Sequence, residues 1–156
     1  MTQRLKYTGA NFKPIEPLLG VAKLEDLTAA GLEHALIELV KIRASQINGC
    51  ANCLHMHTAD ARKAGEREER IYLLNAWRES KMYSPRERAA LAWTEALTRL
   101  PDTGAPDEDF AAMKAVFSET EIIWLTVLIT AINSWNRIAV GFRIENPNDV
   151  QLAEAA

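Results

Sequence analysis

The sequence predicts an all-α fold: one compact helical domain spanning 1–156 with roughly six to eight helices. Three observations carry the fold class. Apolar residues recur at three- and four-residue spacing along most of the chain, with hardly any of the alternation that marks strands. The 7 glycines and 6 prolines are sparse and sit between these periodic stretches. Ser84 and Ser118 each stand three residues before a glutamate at the head of such a stretch, the capping-box pattern.

The elements follow in order. The first 30 residues carry Pro14, Pro17 and Gly20 and read as a wrapping arm with a short helix near 24–29. A helix over 32–47 then places Leu32, Ala35, Leu36, Leu39, Val40, Ile42 and Ile47 on one broad stripe. Asn48 and Gly49, which tolerate positive φ, break it. The next helix starts at about Cys50 and stops near Ala64 and Gly65, where the glycine suits a C-terminal cap. A shorter helix covers 68–77. Ser84, Pro85 and Glu87 then open a helix that ends before Pro101: Ser84 caps, Pro85 fits the first turn, and Glu87 closes the box. Residues 101–106, with two prolines and a glycine, read as a loop, and a helix over 107–116 follows. The last helix, from Ser118 to about Gly141, is apolar on nearly every side, which places it at the centre of a core or between subunits. The polar, alanine-rich tail beyond Pro147 is expected to fray.

Composition narrows the function. Apolar residues make up 48% and charged residues 25%, as in a soluble globular protein. Net charge is -3 and no basic block stands out, so no nucleic-acid partner is expected. The polar N-terminus lacks the apolar core of a signal peptide. The longest apolar stretch, 122–132, is about half of the ~20 residues that span a bilayer. The expectation is a cytoplasmic protein with no membrane partner. Two cysteines are too few for a disulfide scaffold, and a close pair in a reducing compartment points to catalysis or metal binding.

The chemistry concentrates between Glu38 and His57. Cys50 and Cys53 lie three residues apart at the start of a helix, about 60° apart around its axis, and so share a face. Sulfurs so placed can close a disulfide across one turn. The unpaired N–H groups and positive dipole end of the helix favour a thiolate there. His57 follows Cys53 by four residues on the same stripe, in position to take its proton. His55 points about 200° away from His57 and is expected at a surface or interface. Glu38 flanks the preceding helix's apolar stripe. If the two helices pack together, it can orient His57 or accept protons through water, and burial is expected to raise its pKa. Arg43, nearer the stripe's centre, is a candidate partner for a buried carboxylate. A structural zinc needs four ligands; there is no second cysteine pair, and His34 lies on another helix, so no metal is expected.

Glu38, Cys50-x-x-Cys53 and His57 at these offsets, within the run Ser45-Gln46-Ile47-Asn48-Gly49-Cys50-Ala51-Asn52-Cys53-Leu54-His55-Met56-His57-Thr58, resemble the AhpD-like alkylhydroperoxidases of the carboxymuconolactone decarboxylase superfamily. The resemblance is detailed over 38–65 and implies an all-helical fold assembling as a homo-trimer or homo-hexamer. It also implies peroxidase activity on organic hydroperoxides. On that pattern Cys53 attacks the peroxide, Cys50 resolves the sulfenic acid to a disulfide, and His57 with Glu38 forms the proton relay. An external dithiol, a lipoylated protein or thioredoxin-like donor, then reduces the enzyme, with no bound cofactor. Asn52 stands where the best-studied relatives carry a second histidine, and asparagine cannot shuttle a proton at neutral pH. The alternatives are a decarboxylase of lactone acids, which needs no redox thiols, and a non-enzymatic redox sensor whose disulfide switches packing.

Overall fold

The computed structural model describes residues 2–6 and 8–145, so the expectation for the tail beyond Pro147 lies outside the described residues. Among the described residues the fold is all-helical, with eight α-helices, three short 3₁₀ turns and no strand. Helix α1 is Leu24–Ala29, α2 is His34–Asn48 and α3 is Ala51–Lys63. Helix α4 is Glu68–Leu73, α5 is Pro85–Thr98 and α6 is Leu100–Thr103. Helices α7, Asp107–Val116, and α8, Glu119–Phe142, complete the set.

Helix α2 is the most extensively packed element. It packs against α3, α5 and α8. Leu36, Ile37, Leu39, Val40, Ile42 and Ala44 are all buried, so the helix meets neighbours on nearly every side. Fully burying such an aliphatic side chain contributes about 1.5–3 kcal/mol. Leu36, Ile37 and Val40 join one apolar cluster with α5, α7 and α8, while Leu39 and Ile42 join a second with Ile71, Leu74, Trp77 and Leu91. Ala35, assigned to the stripe, is exposed instead.

Helix α8 buries one face, including Leu125, Leu128, Ile129 and Ile132, and leaves Ile123 and Val140 in solvent. At 24 residues it has the length and hydropathy of a membrane span, a longer element than its apolar run suggests. Half of that span is buried within the fold, and Asn133 and Asn136 are on the buried face. The helix thus serves as a core element.

The local signals explain most boundaries. Both capping boxes form: Ser84 accepts from the Glu87 N–H and Ser118 from the Glu121 N–H, and each glutamate accepts from its serine's N–H. The 68–77 helix gives way after Leu73 to a 3₁₀ turn over Leu74–Ala76. The stretch read as a loop from 101 contains α6 instead. Pro101 lies in its first turn, where a missing N–H costs nothing, and Gly104 closes it with φ +64°.

Candidate functional site

The turn between α2 and α3 sets the cysteines. Gly49 takes a left-handed conformation, φ +64°, which a side chain would strain, and the Cys50 N–H bonds back to the Ser45 carbonyl at 3.0 Å. Cys50 thereby becomes the N-cap of α3. Its Sγ accepts the Cys53 N–H at 3.3 Å, so the helix-end stabilisation falls on Cys50. Cys50 and Cys53 form a disulfide with Cα atoms 5.4 Å apart. Both are buried, at 1% and 3% exposure, against Ala139 and Ile144.

His57 is one turn beyond Cys53 and also buried. Its Nδ1 meets Glu38 Oε2 at 3.1 Å, joining α3 to α2. Lys41 Nζ donates to Glu38 Oε1 at 2.8 Å, and His34 Nε2 lies 3.7 Å from the same oxygen. Burial pushes the Glu38 carboxyl up, but the hydrogen bond with His57 and the charge and hydrogen bond of Lys41 outweigh it. The carboxyl lies below its ordinary range, the reverse of the rise expected from desolvation alone. An ionised carboxylate only accepts, so Nδ1 of His57 carries the hydrogen of this bond.

Arg43 does not partner Glu38. Its Nε donates to Glu95 at 2.8 Å, and the Trp77 indole and Arg78 bond the same carboxylate. His55 is half-buried. Glu38, His57 and Asp60 bring one ligand atom each within 4.8 Å, a set that could bind a divalent cation. Glu38 and His57 are already bonded to each other there.

A polar cluster behind the turn escaped the sequence reading. Asn48 Nδ2 donates to Asn133 Oδ1 and Asn136 Oδ1, each at 2.9 Å. Asn136 donates to Ser45 and Asn133 to Thr98, both at 3.0 Å. These bonds tie the turn before Cys50 to α8. The available signal was a pair of asparagines three residues apart in a largely apolar helix.

Residues 20–96 match the sequence pattern of the carboxymuconolactone decarboxylase family. The uncharacterised protein YdfG of Bacillus subtilis is 41% identical over 140 residues, covering 90% of this chain and 94% of that protein. A crystal structure from Agrobacterium tumefaciens, of a protein of unknown function for which an AhpD antioxidant-defence role is suggested, has 45% identity and TM-score 0.83. That match covers 94% of this chain and 99% of the other. The debrominase Bmp8 shares the fold alone, at 20% identity and TM-score 0.75, over 87% of this chain and 72% of its own. With the YdfG identity extending over nearly the whole chain, this protein belongs to the carboxymuconolactone decarboxylase family.

Proposed function

We propose that the protein is a cytoplasmic thiol-dependent peroxidase of the AhpD type, reducing organic hydroperoxides through its Cys50–Cys53 pair. The observation that carries this reading is a dithiol pair at a helix head, one turn from a buried histidine fixed by an ionised glutamate. His57 Nε2 takes the Cys53 proton, and the thiolate attacks the peroxide's terminal oxygen. The O–O bond breaks, the alcohol leaves with the proton, and Cys53 becomes a sulfenic acid. Cys50 Sγ then attacks that sulfur, forming the disulfide and releasing water.

The cap geometry supports the return step. When a donor dithiol attacks Cys53, Cys50 departs as a thiolate facing the Cys53 N–H and the helix dipole. A stabilised thiolate leaves faster. The donor is a lipoylated or thioredoxin-like protein, and the chain assembles as a homo-trimer or homo-hexamer. Exposed Phe110 and Ile123, beside Ile122 and Val127 in a groove between α7 and α8, support assembly.

Peroxide consumption with a lipoylated or thioredoxin-like donor tests this. Cys53→Ser abolishes turnover, whereas Cys50→Ser reduces one peroxide per subunit and stalls. Cycling at the wild-type rate in Cys53→Ser would overturn the assignment. Lactone decarboxylation surviving in the double serine variant would favour the namesake chemistry.

A further inference from the structure

The cysteines are nearly sealed from water, yet their redox cycle moves protons. In re-reduction a donor thiolate attacks Cys53 Sγ, a mixed disulfide forms and Cys50 leaves as a thiolate. The donor's second thiolate then releases Cys53. Two electrons pass from donor to enzyme, the donor's two thiol protons go to water, and the enzyme's two thiolates take up two protons. Those protons must cross a buried site.

We propose that His34 is the solvent-side port of this site, passing protons between bulk water and His57 through the Glu38 carboxylate. The proposal rests on the dithiol reading above. Glu38 has one oxygen facing each imidazole: Oε2 meets His57 Nδ1 at 3.1 Å and Oε1 lies 3.7 Å from His34 Nε2. Glu38 itself is 3% exposed, while the His34 side chain is 43% exposed. The order from cysteines to water is therefore His57, Glu38, His34. Helical register creates the outer step, since His34 and Glu38 are four residues apart on α2. The 3.7 Å separation exceeds a hydrogen bond, and a small swing of the half-exposed ring or one water closes it.

The other charged groups around the carboxylate have different parts. Lys41 donates to Oε1, and its charge and hydrogen bond hold the Glu38 carboxyl down. Asp60, exposed on α3, brings a carboxylate oxygen within 4.8 Å of the ligand atoms of Glu38 and His57. Among these residues His34 alone is an exposed imidazole, a side chain able both to take up and to release a proton.

The test follows re-reduction of the oxidised protein by dithiothreitol in stopped flow, across neutral pH and in weak buffer. His34→Ala and His34→Gln are expected to slow it about tenfold and alter its pH profile, less than the ~10²–10⁴ typical of a direct general base. Gln retains a hydrogen-bond donor to Glu38, so its failure to restore the rate separates proton transfer from positioning. Free imidazole restores His34→Ala with rising concentration, and does not restore His34→Ala combined with Glu38→Gln. Wild-type rates and pH profiles in both single variants would overturn the proposal, as would imidazole accelerating wild type and variant alike. Predicted behaviour with dithiothreitol alongside no peroxide consumption would uphold the port and refute the peroxidase reading.

Discussion

Helix α2 carries two buried charge clusters that look alike and behave differently. On one, Glu38 is held by His57 and Lys41, with His34 beyond. On the other, Arg43 of α2 grips Glu95 of α5, which also receives the Trp77 indole and Arg78. Glu38 is buried and Glu95 partly so, and both carboxyls lie below their ordinary range because their donors outweigh burial. The difference is in the partners. Arginine and indole do not give up protons near neutrality, so the Glu95 cluster is a permanent clamp between helices. Imidazoles do, so the Glu38 cluster can carry chemistry. A shifted carboxylate alone does not distinguish a site from a strut; the titratability of what holds it does.

The largest expected effect breaks the two clusters apart. Glu38→Gln and His57→Gln should each cut peroxide turnover by about 10²–10⁴, the usual worth of general acid–base help. Thermal stability should fall little, because Lys41 can swing its flexible stem into water. Glu95→Gln should do the opposite. It leaves Arg43 buried without its counter-charge, a loss of about 3–5 kcal/mol when such a pair is broken. Turnover per folded molecule should persist. Urea unfolding measured beside turnover decides the matter, and equal loss of turnover in Glu95→Gln would erase the distinction.

How much of this was legible in the sequence depends on the range of the interaction. The cysteine pair, His57 and the capping boxes are local patterns, and the helical register that places them is short-range. The α1 and α7 boundaries follow from the same kind of signal. Contacts between helices were less accessible. Glu38 was expected to rise in pKa because desolvation follows from burial, whereas the opposing Lys41 and His57 bonds depend on how α2 meets α3. Arg43 does hold a carboxylate, as its place on the stripe suggests, but which one was hidden because Glu95 is 52 residues away in sequence. The Asn133–Asn136 cluster was hidden by the apolar residues around it, and its purpose emerges only when Asn48 packs beside α8.

A smaller effect concerns acid. A carboxyl depressed in the folded state stabilises the protein fully above its unfolded pKa, and that contribution is lost as pH falls through the folded value. Glu38 and Glu95 share this sign. Unfolding free energy should therefore decline as pH drops below the ordinary carboxylate range, near 4.3 in unfolded chains, at about that value and beneath it. Glu38→Gln and Glu95→Gln should each flatten the decline, measured by urea titration across acidic pH. An unchanged slope in Glu95→Gln would show that the Arg43, Trp77 and Arg78 bonds do not hold its carboxyl down.

The smallest expected effect imports one cluster's chemistry into the other. Lys41 reaches a single Glu38 oxygen, leaving Oε2 to His57. Lys41→Arg offers a planar fork able to take both oxygens, as arginine favours with carboxylates. Stability should change by less than about 1 kcal/mol, since Lys41 is near the surface. Turnover should fall several-fold, because the guanidinium competes with His57 for Oε2 and loosens the ring that must present Nε2 to Cys53. The pH profile of turnover and the thermal midpoint, measured together, check this. A Lys41→Arg enzyme with unchanged turnover would mean that Glu38 tolerates a permanent partner on both oxygens, and that its link to His57 is structural, as the Arg43 link to Glu95 is.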